Sequence, residues 1–252
     1  MVKNYRKYIL GSISIIILFL IWEIVSLSIA NQYILPSPLF VGKTLIDILI
    51  DYQTYQIISI TFLRLIVAFI LSSLIAVILG IIAGNYKFID ELMHPFIVIL
   101  RTLPVASIIV IILILFGNEY SLFLITFLMI FPIVYEGTKQ GVLNIPTELK
   151  NTIAMETNNK SEIMFKLHFP LSLPYIKTSL LQSFGLGFKV IVMAEFISQT
   201  TKGIGNELFK GSISIQYEKV FAWTIILIIL VFLVEIIVKI LNNRISNKPK
   251  IN

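Results

Sequence analysis

Long apolar runs separated by short polar stretches make up most of the chain. A helix rises about 1.5 Å per residue and the hydrocarbon core of a bilayer is about 30 Å thick, so a spanning helix needs roughly 20 apolar residues. The pattern predicts six spanning helices, over residues 8–30, 61–83, 93–116, 120–135, 175–197 and 221–241. The segments 31–60, 139–174 and 198–220 are long, and we expect each to carry short structure of its own.

The composition agrees with a protein that faces hydrocarbon. Of the 252 residues, 57% are hydrophobic and 13% are charged, against roughly 25% charged residues in ordinary globular domains. The net charge is +6, and in a membrane chain surplus Lys and Arg mark cytoplasmic loops. We therefore expect a lipid bilayer as surroundings and no nucleic-acid partner. The chain has no Cys, which excludes disulfides and thiolate metal sites.

The basic residues also predict the orientation. With both termini cytoplasmic, 12 of the 20 Lys and Arg residues lie inside and 4 outside, as the positive-inside rule requires. The start of the chain, with Lys3, Arg6 and Lys7 before the first apolar run, is similar to a secretory signal. Its apolar run is longer than the roughly 7 to 15 residues of a signal, so we expect a retained helix. Cleavage would leave five spans and an outside N-terminus.

The sequence contains no complete enzymatic motif. His94 and His168 are far apart and belong to no H-E-x-x-H pattern, and G-x-S-x-G and S-x-x-K patterns are absent. The segment from Ser37 to Thr44 approaches the phosphate loop G-x-x-x-x-G-K-T, but Ser37 replaces the first glycine and no strand precedes it. The sequence therefore predicts neither catalytic residues nor a metal site.

Ionisable residues inside the predicted spans are candidates for a translocation pathway. Each costs about 2.5 to 3.5 kcal/mol at the bilayer centre. Arg101 and Pro104 should break the third span near the midplane, and broken backbone at that depth is tolerated where it is buried in protein or lines a cavity. Lys189 and Glu195 in the fifth span join them as pathway candidates. The alternatives are a structural kink at Arg101 and Pro104, and for Lys189 a side chain that reaches to the interface.

The polar segment between the fourth and fifth spans predicts a docking surface. Leu149 and Ile153 share one face of a short amphipathic helix, Asn158 interrupts it, and Ser161 can cap a second helix through Lys166. Two short helices on the cytoplasmic side are suited to contact a partner protein. The alternative is a helix that lies on the lipid surface.

Motifs in and around this segment resemble those of permease subunits of binding-protein-dependent ABC importers, of the sulfonate, nitrate and taurine type. Leu167-His168-Phe169-Pro170 is similar to the end of the family's cytoplasmic signature, E-A-A, a glycine, then I-x-L-P, and Leu173-Pro174 to the L-P that follows it. The E-A-A positions fall on Asn151, Thr152 and Ile153, and the glycine on Thr157, so this half is degenerate. Further landmarks occur in the family's order: Leu35-Pro36-Ser37-Pro38, Arg101-Thr102-Leu103-Pro104, Phe116-Gly117, Phe131-Pro132, Gly141, Ala194-Glu195 and Gly203-Ile204-Gly205.

The resemblance implies a type I ABC importer permease in the cell membrane. One transmembrane domain would occupy residues 1–252, with a core at about 58–242 and a coupling loop at 139–174. The implied partners are a second permease copy, two cytoplasmic ATP-binding subunits that bind the ATP, and an extracytoplasmic substrate-binding protein. The chain itself would need no cofactor. The loop residues that would contact the ATPase are Leu149, Ile153, Ala154, Thr157, Asn158, Ile163, Phe165, Leu167 and Pro170.

The resemblance also implies a small and often anionic solute, such as a sulfonate, taurine, nitrate or bicarbonate, although related permeases carry vitamin precursors. Two other classes remain as alternatives from the residues. A secondary transporter would use an ion gradient, but six spans are few and no inverted pair of interrupted helices is evident. A membrane enzyme would need a catalytic constellation that the sequence does not offer.

Overall fold

The computed structural model describes residues 2–149 and 160–246, and their regular structure is helical throughout. The helices are listed here in chain order: α1 (Val2–Ile29), α2 (Pro38–Ile50), α3 (Tyr52–Asn85), α4 (Lys87–Thr102), α5 (Val105–Phe116), α6 (Asn118–Leu143), α7 (Lys160–Ile163), α8 (Phe169–Ser198), α9 (Ile204–Ile213) and α10 (Tyr217–Ser246). A π-helical turn, Met164–His168, joins α7 to α8.

The predicted spans are present, and the third is broken. Within the described residues, five helices (α1, α3, α6, α8 and α10) are long and apolar enough to cross a bilayer. Helices α4 and α5 supply a sixth span if they count as one, and they meet at a bend of 103°. The break lies at Leu103 and Pro104, as expected. Proline has no N–H to donate and disfavours helical backbone in the residue before it, and Leu103 is extended with ψ 133°.

The helices run past the apolar windows that predicted them. Helix α3 begins at Tyr52, α6 continues to Leu143, and α8 begins at Phe169. Hydropathy marks where a helix leaves the hydrocarbon, and a helix can continue beyond that point with polar residues. As a result Lys139 and Gly141, which were expected to open the coupling loop, lie within α6.

Short helices occupy the long connections, as expected. Helix α2 lies between the first two spans, and its first turn is capped by Ser37, whose Oγ accepts a hydrogen bond from the Phe40 N–H at 3.3 Å. Ser37 therefore caps the start of a helix, a role that serine favours. It stands at the position where a phosphate loop would have its first glycine. Helix α9 lies between the last two spans.

Helices α3, α6 and α8 form the centre of the molecule, with α6 between the other two. Small residues allow them to approach closely. A Cβ atom added at Gly80 of α3 would lie 2.8 Å from the Thr138 Cβ atom of α6, and one at Gly141 of α6 would lie 2.8 Å from the Ser172 Cβ atom of α8. Close approach of helix backbones at small residues is typical of packing between membrane helices. This three-helix centre holds the cavity and the charged clusters described next.

Candidate solute path and its flanking charge clusters

A cavity of about 570 Å³ lies between α6 and α8. Its lining residues are Arg101, Pro132, Ile133, Glu136, Gly137, Gln140, Pro174, Tyr175, Thr178, Ser179 and Gln182. The segment 144–168 joins α6 to α8, and we call its side of the molecule the loop end and the opposite side the far end. Thr178 lies nine residues into α8, or about 14 Å from its first residue, so the cavity occupies the half of the molecule nearer the loop end.

Polar side chains stand beside apolar ones in the cavity wall, whereas the outer faces of the molecule are largely apolar. Glu136 and Gln140 stand one turn apart on α6, and Thr178 and Gln182 stand one turn apart on α8. Arg101, from the last turn of α4, is exposed and forms no ion pair with the residues that the structure describes. A cavity lined by a guanidinium, a carboxylate, amides and hydroxyls offers hydrogen bonds to a small polar solute.

A cluster of charges around Lys139 borders this wall. The Lys139 Nζ atom lies 2.9 Å from the Asp90 Oδ1 atom and 3.1 Å from the Glu136 Oε2 atom. It also lies 5.7 Å from the centre of the Tyr135 ring. Because Asp90 is in the first turn of α4, the ion pair with Lys139 ties α4 to α6 at the loop end.

A second charged network, built around Glu195, lies at the far end. Its carboxylate is fully buried and accepts hydrogen bonds from Arg64 Nη1 at 2.9 Å, from the Thr61 hydroxyl at 2.9 Å and from the Gly205 N–H at 3.0 Å. The Thr61 oxygen in turn accepts a hydrogen bond from the Ile204 N–H at 2.9 Å. Buried charges in proteins are paired and hydrogen-bonded, and this carboxylate satisfies both conditions.

The Glu195 network fixes the start of helix α9. The first N–H groups of a helix lack partners within the helix and favour a nearby negative charge. In α9 the Ile204 N–H donates to the Thr61 oxygen, and the Gly205 N–H donates to the Glu195 carboxylate. Gly203 has φ 141°, a conformation that glycine adopts readily. A side chain at Gly203 would also run into the Glu195 carboxylate. The Gly203-Ile204-Gly205 motif is thus explained by its fit around Glu195.

The structure separates the four residues that the sequence suggested for the path. Arg101 lines the cavity, and Pro104 begins the next helix at the break. Lys189 is exposed on α8, on the same face as Gln182 and about 10 Å farther toward the far end. Glu195 is enclosed in its own network and does not line the cavity. The path roles of all four residues stay predictions.

Sequence reasoning missed most of the cavity wall. Glu136, Gln140, Thr178 and Gln182 are the polar lining residues that it did not single out. A signal for them was available. Each pair is spaced four residues apart within or beside an apolar run, the spacing that places two side chains on one helix face.

The coupling residues fall partly in the described structure. Ile153, Ala154, Thr157 and Asn158 lie outside the described residues. Leu149 is exposed, in a helical turn that begins at residue 147. The remaining predicted coupling residues surround the junction of α7 with α8: Ile163 ends α7, Phe165 and Leu167 lie in the π-helical turn, and Pro170 lies in the first turn of α8.

Comparison with known families decides the class of protein. The sequence profile of the binding-protein-dependent transport system inner membrane component matches residues 76–247. The chain belongs to this family. It is therefore an integral, multi-pass inner-membrane permease with the type I ABC importer permease fold, as the resemblance of its motifs implied.

Individual relatives agree with the family. An ABC transporter permease protein of Methanocaldococcus jannaschii is 30% identical over 194 residues, which cover 73% of this chain and 71% of that protein. The nitrate import permease protein NrtB of Synechocystis is 28% identical, over 76% of this chain and 72% of its own length. The taurine transport system permease protein TauC of Escherichia coli is 24% identical, over 89% and 84%. The family supports an ATP-driven importer and gives no support to a secondary transporter.

Proposed function

We propose that the chain forms one half of the solute path of an ATP-driven importer, and that the cavity between α6 and α8 is this chain's share of the path. The observation that carries the proposal is the set of exposed polar side chains in the cavity wall. Arg101, Gln140 and Gln182 are exposed there, although an exposed polar side chain in hydrocarbon is costly. A water-filled path between two permease copies would give these side chains the polar surroundings that they need.

The permease family also implies the partners of this chain. A second copy of the chain would close the path on the exposed side of the cavity, and a pair of ATP-binding subunits would dock at the loop end. A substrate-binding protein would deliver the solute at the far end. This arrangement requires the loop end and both termini to be cytoplasmic, in agreement with the distribution of basic residues. ATP would be bound and hydrolysed by the partner subunits.

The solute that suits the cavity is small and anionic. The cavity of about 570 Å³ is large enough for a small molecule. Arg101 supplies a planar cation that can donate two parallel hydrogen bonds to a sulfonate, nitrate or carboxylate group. Relatives named for nitrate, bicarbonate and taurine transport support this choice.

Isolation of the complex from its native membrane tests the proposed function. The tagged chain would be extracted in mild detergent, and its stoichiometric partners identified and counted by mass spectrometry. We expect an ATP-binding subunit in a one-to-one ratio and uptake that depends on ATP. A chain that is recovered alone, stable and active in proton- or sodium-driven uptake would contradict the proposal.

Leu149 gives a sharper test of the coupling surface. The change Leu149→Asp places a charge on an exposed apolar side chain of the docking segment, and we expect it to abolish ATP-driven uptake or reduce it to a few per cent. Leu92→Asp is the matched control, because Leu92 is exposed on α4, outside the docking segment. If both variants assemble normally and take up solute equally, Leu149 is not part of the coupling surface.

A further inference from the structure

Lys139 occupies an unusual position for a lysine. It lies near the end of α6, and its side chain is only 9% exposed. Its ammonium group contacts two carboxylates, Asp90 of α4 and Glu136 of α6, at 2.9 Å and 3.1 Å. A buried ammonium group is stable only when it is paired and hydrogen-bonded. This one is shared between two helices that each contribute to the cavity.

One partner of Lys139 belongs to the α6 wall of the cavity. The Glu136 carboxylate accepts a hydrogen bond from Gln140 Nε2 on its Oε1 atom at 3.0 Å, while its Oε2 atom faces Lys139. Both oxygens are therefore held. These two contacts fix the orientation of the Glu136 carboxylate and place one of its oxygens against the Lys139 ammonium group.

The other partner of Lys139 lies on the helix that carries Arg101. Asp90 lies in the first turn of α4, and Arg101 lies in the last. Helix α4 has one fully buried residue, Ile97, beside the partly buried Ile89, Met93 and Leu100, and it ends at the break before Pro104. Among the ion pairs that the structure describes, the one between Asp90 and Lys139 joins α4 to α6. The ion pair of Asp90 with Lys139 therefore restrains the helix that carries Arg101.

We propose that Lys139 is a positioning residue of the solute path, which sets the charge that α6 and α4 present to the cavity. It neutralises and orients Glu136 on α6, and through Asp90 it holds α4 so that Arg101 faces the cavity. The inference rests on the proposed function in taking the cavity as the solute path. Without Lys139, Glu136 would present an unpaired negative charge, and Arg101 would be less firmly placed.

The experiment measures the electrostatic potential in the cavity. Because the chain has no Cys, Thr178→Cys introduces a single thiol at an exposed position of the cavity wall. In the purified permease complex, its rates of reaction with a negatively and a positively charged methanethiosulfonate reagent are compared. Combining Thr178→Cys with Lys139→Met should lower the ratio of the anionic to the cationic rate by about tenfold, because one unit of positive charge beside the wall is lost.

Matched variants separate positioning from stability. Lys139→Arg should keep the ratio within about twofold of the parent, and adding Glu136→Gln to Lys139→Met should restore most of the loss. Lys87→Met is the control for an exposed lysine at the same end, since Lys87 is 90% exposed in its pair with Glu91. It should leave the ratio unchanged.

An unchanged ratio in an assembled Lys139→Met complex would overturn the proposal. If that variant does not assemble, Asp90→Asn takes its place, because it keeps the pair of Lys139 with Glu136 and loses the tie to α4. The loss of the Asp90 charge by itself would raise the ratio, so a fall in the ratio can come only from displacement of Arg101 and should be absent when Arg101→Gln is also present. A ratio that does not fall in Asp90→Asn, or a fall that persists with Arg101→Gln, would equally overturn the proposal. The thiol reaction requires no transport, so a failed uptake assay would count against the proposed function only.

Discussion

The Glu195 network gives the most exacting prediction, because one carboxylate joins three helices at the far end. The change Glu195→Gln keeps the shape of the side chain and removes its charge. Three donors now face the carboxylate, from Arg64, Thr61 and Gly205. A Gln amide has one oxygen to accept hydrogen bonds, and its NH₂ group donates. At least one of the three donors would therefore face another donor.

The cost can be worked out from burial. Glu195 is 0% exposed and Arg64 is 11% exposed, so solvent screens their interaction little. Hydrogen bonds to charged groups contribute about 1.5 to 3 kcal/mol each, and removal of one partner from a buried ion pair costs about 3 to 5 kcal/mol. We expect Glu195→Gln to lose about 3 kcal/mol of unfolding free energy. For a chain of this size that corresponds to a Tm lower by roughly 6 to 12 °C.

The assay is thermal unfolding of the detergent-purified permease, followed by size-exclusion chromatography of heated samples. Glu207→Gln is the matched control, with the same chemical change in the neighbouring helix. Its pair with Lys210 is exposed at the surface, with side chains 57% exposed for Lys210 and 23% for Glu207, so the loss should stay below about 1 kcal/mol. Replacing Arg64 and Glu195 together by Met should cost less than the sum of the single changes. A Glu195→Gln protein that melts within about 2 °C of the parent would refute the reasoning.

The remaining predictions concern helix packing and the cavity. Gly137→Ala should lower the Tm, because the added Cβ atom would run into the Ser179 side chain at the contact of α6 with α8. Its control, Gly185→Ala, meets nothing within 4 Å and should leave the Tm unchanged or raise it, since Ala is favoured over Gly in a helix by about 0.5 to 1 kcal/mol. Arg101→Ala should lower uptake while the complex with the ATPase still assembles. Undiminished uptake would make Arg101 a structural residue only.

The spans and the break in the third of them could be predicted because their causes are local. Apolar residues accumulate where the helix crosses hydrocarbon, and Pro104 restricts the residue before it wherever it occurs. The ends of the helices could not be predicted in the same way. The end of the apolar window predicts a loop from Lys139, yet Lys139 lies within α6, where its buried side chain pairs with Asp90 of α4.

The partners of the charged residues were out of reach because they are remote in the chain. Glu195 pairs with Thr61 and Arg64, which precede it by 134 and 131 residues. A carboxylate in a predicted span indicates a functional path by default. The sequence alone does not distinguish that role from capping a helix such as α9. The distinction depends on packing between α3 and α8, which local patterns do not specify.

The two charged clusters differ in a way that bears on movement. The Glu195 carboxylate is fully enclosed, so separating it from its donors would leave a buried charge unpaired, at a cost of several kcal/mol. The partners of Lys139 are about a third exposed, with Asp90 at 32% and Glu136 at 28%. Water can replace part of those contacts when they separate, so opening them costs less. We therefore expect the junction of α3, α8 and α9 to persist through the transport cycle, and the contact between α4 and α6 at the loop end to change.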